Sequence, residues 1–146
     1  MELERRDIPL DRAIFPRHLK YLPLLRERCP QLRMVIDHLA KPPIAAGLMD
    51  QWAANLETVA RLPKIWCKLS GLVTEADATN WTSHDLEPYV KQAVVSFGHD
   101  RLMFGMTGRV YQQVVDALNA VLGLLAPQAA AKVWAENAGE FYALDT

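Results

Sequence analysis

The chain has 146 residues, of which 51% are hydrophobic and 23% are charged, and its 16 basic and 17 acidic residues leave a net charge of -1. A chain of this length can bury roughly two-thirds of its unfolded surface, so we expect a single domain over residues 1–146. The balanced charge, without a basic stripe or a run of like charges, argues against a nucleic-acid partner and against an anionic membrane.

The cysteines and the amino-terminal segment bear on location. Cys29 and Cys67 are isolated, with no Cys-x-x-Cys spacing, which favours a reducing compartment and argues against a disulfide framework or a thiolate metal cage. The first ten residues mix charges and lack the apolar core of a signal peptide, and no later segment is long enough to cross a bilayer. We therefore expect a cytoplasmic protein.

Four short apolar segments recur along the chain, each followed by a turn and then a helical pattern. This alternation of strands with helices predicts an α/β fold with a four-stranded parallel sheet. The predicted strands cover residues 12–15, 34–37, 64–69 and 101–104.

Five helices are predicted between and after these strands. Pro16 and Pro30 bound the first, and Pro23 inside it predicts a kink or a later start. Ser83 or Asp85 is expected to cap the third. Their apolar stripes, including Phe141 in the fifth, predict an outer layer over the sheet. The ranges are residues 17–28, 49–60, 83–97, 110–125 and 128 to the carboxyl terminus.

A histidine ends one of the strands. In residues 34–43, His38 closes a β-branched run that two prolines then interrupt. Parallel sheets hold ligands where their strands end, so His38 is a candidate metal or substrate ligand. Alternatively, it only hydrogen-bonds a neighbouring backbone carbonyl. The long loop over residues 70–83, which contains Glu75, is open to two interpretations, a functional loop or a solvated acidic turn.

Several segments resemble one family. Residues 15–19, 35–42, 67–72 and 100–105, with 136–138 near the carboxyl terminus, are similar to the amidohydrolase-related branch of the amidohydrolase superfamily. That branch includes sugar lactonases such as L-fuconolactonase and the pyrone dicarboxylate lactonase. The resemblance implies the four-stranded, carboxyl-terminal half of a TIM (β/α)8 barrel. The opening strand with the family's His-x-His pair is missing, since the histidines here are His18, His38, His84 and His99.

The resemblance also assigns site residues. His38 matches a family metal ligand, and a divalent zinc or manganese ion is implied. Where the family carries the aspartate that activates water, this chain has Thr107, a neutral hydroxyl that cannot take up the proton of water as a carboxylate does. The polar substrate-binding candidates are Arg17, His18, Lys41 and Lys68, although each could equally solvate a helix start, flank a turn or extend from a strand end to water.

Three functions follow as alternatives. By resemblance the chain is a hydrolase of lactones or related cyclic esters, complete only with a partner segment. The second alternative is a non-catalytic, truncated relative whose fold serves only for binding or is merely the product of a gene fragment. In the third, residues 105–109 form an anion site at a helix start, although a simple tight turn explains the same pattern.

A half barrel predicts a partner. Its sheet should show an apolar inner face and two unpaired edges to water. We therefore expect association with another copy, or with a polypeptide supplying the amino-terminal half, or else helices that cover both faces. The expected small-molecule partner is a lactone-like substrate.

Overall fold

The computed structural model describes residues 2–106, 111–123 and 127–144. Its centre is a parallel sheet of four strands in the order β1-β2-β3-β4. The strands are β1 (Leu10–Arg12), β2 (Met34–Ile36), β3 (Ile65–Leu69) and β4 (Leu102–Phe104). The predicted parallel sheet is confirmed.

Two strand boundaries differ from the prediction for backbone reasons. Strand β1 was predicted at residues 12–15 but ends at Arg12, because Phe15 already belongs to the start of the next helix, where its backbone N–H bonds His18. Strand β3 begins at Ile65 and not at Lys64, because Lys64 has a φ of +56°, which is left-handed and incompatible with an extended strand.

The helices largely follow the predicted ranges. The first is a 3₁₀ turn (Pro16–Tyr21) that continues as α2 (Leu22–Arg28), so Pro23 lies in the first turn of the α-helix, as a later start requires. Thr82, and not Ser83 or Asp85, is the residue that caps α5 (Ser83–Phe97): its backbone N–H and Oγ1 both donate to Asp85 Oδ2, at 2.7 and 2.9 Å. The other main helices are α3 (Asp50–Ala60) and α6 (Tyr111–Leu122).

Two short helices were not predicted. One is α1 (Glu2–Arg5), and the other is α4 (Leu72–Glu75), which lies inside the predicted loop over residues 70–83. The carboxyl-terminal helix is divided into α7 (Pro127–Ala131), a π-helical turn (Lys132–Glu136) and α8 (Asn137–Tyr142). Among the described residues, no helix is long and apolar enough to cross a membrane.

The larger core lies between the outer face of the sheet and the helices. Alternate strand residues point into it, because side chains alternate across a strand. Ile36, Cys67 and Leu69 are at most 1% exposed there and pack with Leu56 of α3 and Val90 of α5. Both cysteines are buried.

The inner face of the sheet differs from the prediction. Phe141 of α8 was expected in the outer helical layer, but it packs on the inner face, where it is 1% exposed and buried with Val35 and Met103. The inner face is also not uniformly apolar, since register places Asp11 beside Val35 and Lys68 beside Met103. Within the described ranges, β1 and β4 each have a strand neighbour on one side only.

Candidate functional site

The carboxyl ends of β2 and β3 bring His38 and Ser70 together. His38 Nδ1 and Ser70 Oγ share a hydrogen bond of 2.8 Å. Gly71 permits this approach, because a Cβ added to it would lie 2.8 Å from His38 Cγ, and its own φ is +62°. His38 Nδ1 is thus hydrogen-bonded to a side-chain hydroxyl. It is not bonded to a backbone carbonyl, which was the alternative interpretation of His38 from sequence.

His38 also begins an unusual backbone turn. Residues 38–41 have φ values of +54°, +50°, +58° and +56°, although none of them is glycine. The left-handed conformation costs about 1–2 kcal/mol per residue for side chains other than glycine, so the surroundings must hold the turn in place. Trp52 Nε1 donates to Leu39 O at 2.7 Å, and the Lys41 backbone N–H donates to His38 O at 2.7 Å. Strain of this kind is concentrated at functional sites, which supports the choice of this turn as the site.

The environment of His38 favours the neutral form of its imidazole. Burial lowers the pKa of His38 below its ordinary value of 6.5, and Lys41 and Lys68 lower it further, while Asp37 and Glu75 oppose the shift. A neutral imidazole has a lone pair free to accept a proton or to bind a metal.

Lys68 projects onto the inner face, where it joins two carboxylates. Its Nζ lies 2.5 Å from Asp11 Oδ2 and 2.9 Å from Asp37 Oδ1, although no hydrogen bond of good geometry reaches that second oxygen. Tyr142 of α8 donates its hydroxyl to the Asp11 carboxylate at 2.8 Å. Burial by itself would lower the pKa of Lys68, but its interactions with Asp11, Tyr142 and the Asp37 carboxylate outweigh burial and raise the pKa. Lys68 is therefore a fixed positive charge.

The other substrate-binding candidates gather around Phe15. The guanidinium of Arg17 lies 4.7 Å from the centre of the Phe15 ring and the ammonium of Lys41 lies 5.7 Å from it. Lys41 is also paired with Glu75 of α4 at 2.8 Å. His18 Nδ1 accepts the Phe15 backbone N–H at 3.2 Å. Arg17, His18 and Lys41 thus share one neighbour, beside the ends of β1 and β2.

Four residues of this arrangement were not predicted as site residues. Ser70, Asp37, Glu75 and Asp11 hold the candidates in place through the contacts given above. The available signal was their position, since Asp37 and Ser70 directly follow β2 and β3.

Two sequence hypotheses concern residues that the structure does not describe. Thr107, at the position of the family aspartate, lies outside the described residues. The proposed anion site over residues 105–109 lies mostly outside them. Both remain predictions from sequence.

The residues present do not by themselves fit a metal ion. In the described ranges no group of three or more His, Cys, Asp or Glu side chains could hold one. Catalytic zinc takes three protein ligands, and here His38 is the single candidate from the sequence. Any metal site involving His38 would need further ligands from outside these ranges.

Comparison with known proteins identifies the family of this chain. The profile of the amidohydrolase family matches residues 3–144, and the chain therefore belongs to that family. Among curated relatives, the L-fucono-1,5-lactonase of Burkholderia ambifaria is 38% identical over 95% of this chain, which corresponds to 51% of that protein. The chain spans about half the length of this lactonase and of a second curated relative.

Solved structures of the family also match this chain over about half of their length. An amidohydrolase from Burkholderia multivorans with bound zinc superposes with a TM-score of 0.91 at 31% identity, over 99% of this chain and 55% of that one. A probable 2-pyrone-4,6-dicarboxylic acid hydrolase from Acinetobacter baumannii, with citric acid bound, gives a TM-score of 0.79 over 97% of this chain and 55% of that one. At 16% identity the second likeness shows the fold alone. The predicted four-stranded half of a TIM barrel is confirmed.

Proposed function

We propose that this chain takes part in the hydrolysis of a lactone or related cyclic ester, as half of a barrel completed by a complementary polypeptide. The observation that carries the proposal is His38, held at 2.8 Å by Ser70 on a strained turn at the carboxyl ends of the strands. That is the edge at which TIM-barrel enzymes place their active sites. The likeness to a lactonase at 38% identity supports the choice of substrate class.

The roles of the side chains follow from their charge and position. Neutral His38 would orient the attacking water or serve as a ligand. Water adds through its oxygen to the acyl carbon, the ring C–O bond breaks, and the products are a hydroxyl and a carboxylic acid. Cations near the acyl oxygen stabilise the charge that develops there, which suits Lys41 and Arg17. Lys68 is already paired with two carboxylates, so its proposed contribution to substrate binding would be to hold Asp37 and the turn that follows it.

The proton of the attacking water needs an acceptor. The hydroxyl of Thr107 does not provide a carboxylate at the expected place. A base would therefore come from the complementary polypeptide, which would also have to supply most ligands of any zinc or manganese ion.

A non-catalytic relative is the second candidate. Thr107 and the lack of a three-ligand cluster in the described part of the chain favour it. The catalytic and the non-catalytic candidate function both predict a polypeptide partner. One strand edge of β1 and one of β4 have no neighbour in the described structure, and such edges are open to pairing.

The two candidates are separated by a hydrolysis assay on a reconstituted barrel. The chain is mixed with the half of the B. ambifaria lactonase that it does not match, and hydrolysis of L-fucono-1,5-lactone is followed in a pH-stat. We expect the mixture to exceed the rate of either half alone, and His38→Gln to lower the excess at least tenfold. His84→Gln is the control, since that side chain is 91% exposed. A complex that forms but gives no excess rate would support the non-catalytic candidate.

A further inference from the structure

The side chain of Ser70 is held in a narrow space between the ends of β3 and β4. Ser70 directly follows β3 and is 1% exposed. Gly105, just after β4, gives it room, because a Cβ added to Gly105 would lie 3.2 Å from Ser70 Cβ and 3.4 Å from Ser70 Oγ. The Gly105 backbone N–H also donates to Leu69 O at 3.3 Å, which ties the two strand ends together. The Ser70 hydroxyl therefore faces His38 from a fixed position.

The imidazole of His38 is fixed from its own side as well. Its backbone lies in the left-handed turn, with a φ of +54°. Its ring packs on Gly71, where an added Cβ would lie 2.8 Å from both Cγ and Nδ1 of the ring. Nδ1 is the nitrogen that Ser70 engages at 2.8 Å. The other nitrogen, Nε2, has no hydrogen-bond partner within the described ranges, so it is the ring atom that a substrate would meet.

The hydroxyl hydrogen of Ser70 decides which ring nitrogen carries the imidazole hydrogen. A neutral imidazole has one N–H and one lone pair, whereas a serine hydroxyl can donate or accept. Buried hydroxyl groups are nearly always hydrogen-bonded, because an unpaired donor loses its water without compensation. Among the residues that the structure describes, His38 Nδ1 is the single acceptor that this hydroxyl contacts. Donation from Ser70 to Nδ1 satisfies the hydroxyl hydrogen, and donation in the other direction leaves it unpaired.

We propose that Ser70 is a positioning residue of the site: its hydroxyl donates to His38 Nδ1, which places the imidazole hydrogen on Nε2 and makes His38 a hydrogen-bond donor. This role rests on the proposed function, in which His38 belongs to the site. A zinc ion bound to Nε2 would need the opposite tautomer, in which Nδ1–H donates to its neighbour, as it does in most metal-bound histidines.

The Nε2 tautomer narrows what His38 does in the site. Its lone pair is engaged by Ser70, so in this state His38 neither takes up the proton of water nor binds a metal. Its Nε2–H is suited to orient an oxygen atom of the substrate or of the attacking water, where a fixed donor stabilises developing negative charge. A base from elsewhere is then required, which agrees with the base assigned above to the complementary polypeptide.

NMR of the imidazole nitrogens reads the tautomer directly and needs neither substrate nor partner. The histidines of the whole chain are labelled with ¹⁵N, and long-range ¹H–¹⁵N spectra are recorded at an alkaline pH, where free imidazoles are neutral. The chain has four histidines, and His38→Gln identifies the signals of His38. We expect Nδ1 of His38 in the range of an unprotonated nitrogen and Nε2 in the range of an N–H.

Two variants test whether Ser70 sets this tautomer. In Ser70→Ala the Nδ1 signal of His38 should shift toward that of His84, whose side chain is 91% exposed and whose two tautomers mix in water. Thr74→Ala is the matched control, because it removes a hydroxyl from the same segment, one that donates to Gly71 O at 2.7 Å and does not bond His38. The control should leave the Nδ1 and Nε2 signals of His38 in place, while circular dichroism shows that both variants keep the fold.

Three results would overturn the inference. An Nδ1 signal of the unaltered chain in the N–H range would make Ser70 the acceptor and leave Nε2 free for a metal. Unchanged His38 signals in Ser70→Ala would show that Ser70 does not set the tautomer. Equal shifts in Thr74→Ala and Ser70→Ala would reduce Ser70 to a packing residue. A reconstituted barrel that does not hydrolyse lactone would count against the proposed function alone, because a tautomer that depends on Ser70 is measured without hydrolysis.

Discussion

The strained turn at residues 38–41 depends on one hydrogen bond that can be removed cleanly. Trp52→Phe keeps an aromatic ring but deletes the indole N–H that reaches Leu39 O at 2.7 Å. Leu39 is fully buried and Trp52 is 2% exposed, so water cannot replace the donor without rearrangement. Leaving a buried carbonyl unsatisfied costs about 1–3 kcal/mol, and the smaller ring adds about 1 kcal/mol through lost packing. The free energy of unfolding should fall by about 2–4 kcal/mol.

Urea denaturation measures that loss, and hydrogen exchange locates it. The Lys41 amide donates to His38 O at 2.7 Å inside the turn, so its protection should drop in Trp52→Phe. Tyr89→Phe is the matched control. Its ring packs on Trp52 with centroids 5.3 Å apart, but its hydroxyl makes only a 3.3 Å bond to Leu48 O. The control should cost less than about 1 kcal/mol.

Two findings together would show that Trp52 does not hold the turn. One is a Trp52→Phe variant no less stable than Tyr89→Phe. The other is unchanged exchange of the Lys41 amide. The turn would then be held by its own sequence and by packing, and the role assigned to Trp52 would be wrong.

Three further outcomes are expected. Burial lowers the pKa of His38 below 6.5, so the unfolded chain takes up a proton at a higher pH than the folded protein does, and the unaltered protein should lose stability as pH falls from about 7 through 6. In urea titrations at pH 7.5 and 5.5, His38→Gln should lose less stability between the two pH values, and equal losses would contradict this expectation. Lys68→Met leaves the Asp37 carboxylate, whose side chain is 15% exposed, without its cation, and should lower the free energy of unfolding by about 2 kcal/mol. Adding Asp37→Asn should restore part of that loss, because the double variant has no unpaired carboxylate at this position. Phe141→Ala should lower the free energy of unfolding by about 3 kcal/mol because that ring is 1% exposed, whereas Tyr142→Phe, which loses only a hydroxyl, should lower it by about 1 kcal/mol. Similar losses for the two variants in thermal denaturation would argue against burial of Phe141 on the sheet.

Sequence patterns located β2, β3 and β4 because each of these strands carried its own signal, whereas β1 (Leu10–Arg12) shares only Arg12 with the predicted residues 12–15. A β-branched apolar run such as Val35-Ile36 followed by a polar residue marks both a strand and its carboxyl end. The proline rules worked equally well, since Pro23 marked the start of α2. These are local properties, which one segment of sequence determines.

The inner face could not be predicted in the same way. Asp11 lies outside the strand predicted at residues 12–15, and only the register of the observed strands brings it to the same face as Lys68. Phe141 has the same helical spacing whether its helix packs outside or inside the sheet, and the choice depends on the whole fold. The pairing of Lys41 with Glu75 likewise joins residues 34 positions apart in sequence.

We propose that this chain supplies half of the rim of a lactonase active site and that it lacks the carboxylate base at position 107. The most direct measurement compares L-fucono-1,5-lactone hydrolysis by the unaltered chain and by Thr107→Asp, each mixed with the unmatched half of the B. ambifaria lactonase. General-base catalysis contributes about 10²–10⁴-fold, so Thr107→Asp should raise the rate of the mixture by about 10²-fold or more. Rapid hydrolysis by the unaltered chain alone, or no gain from Thr107→Asp in a complex that forms, would contradict the account.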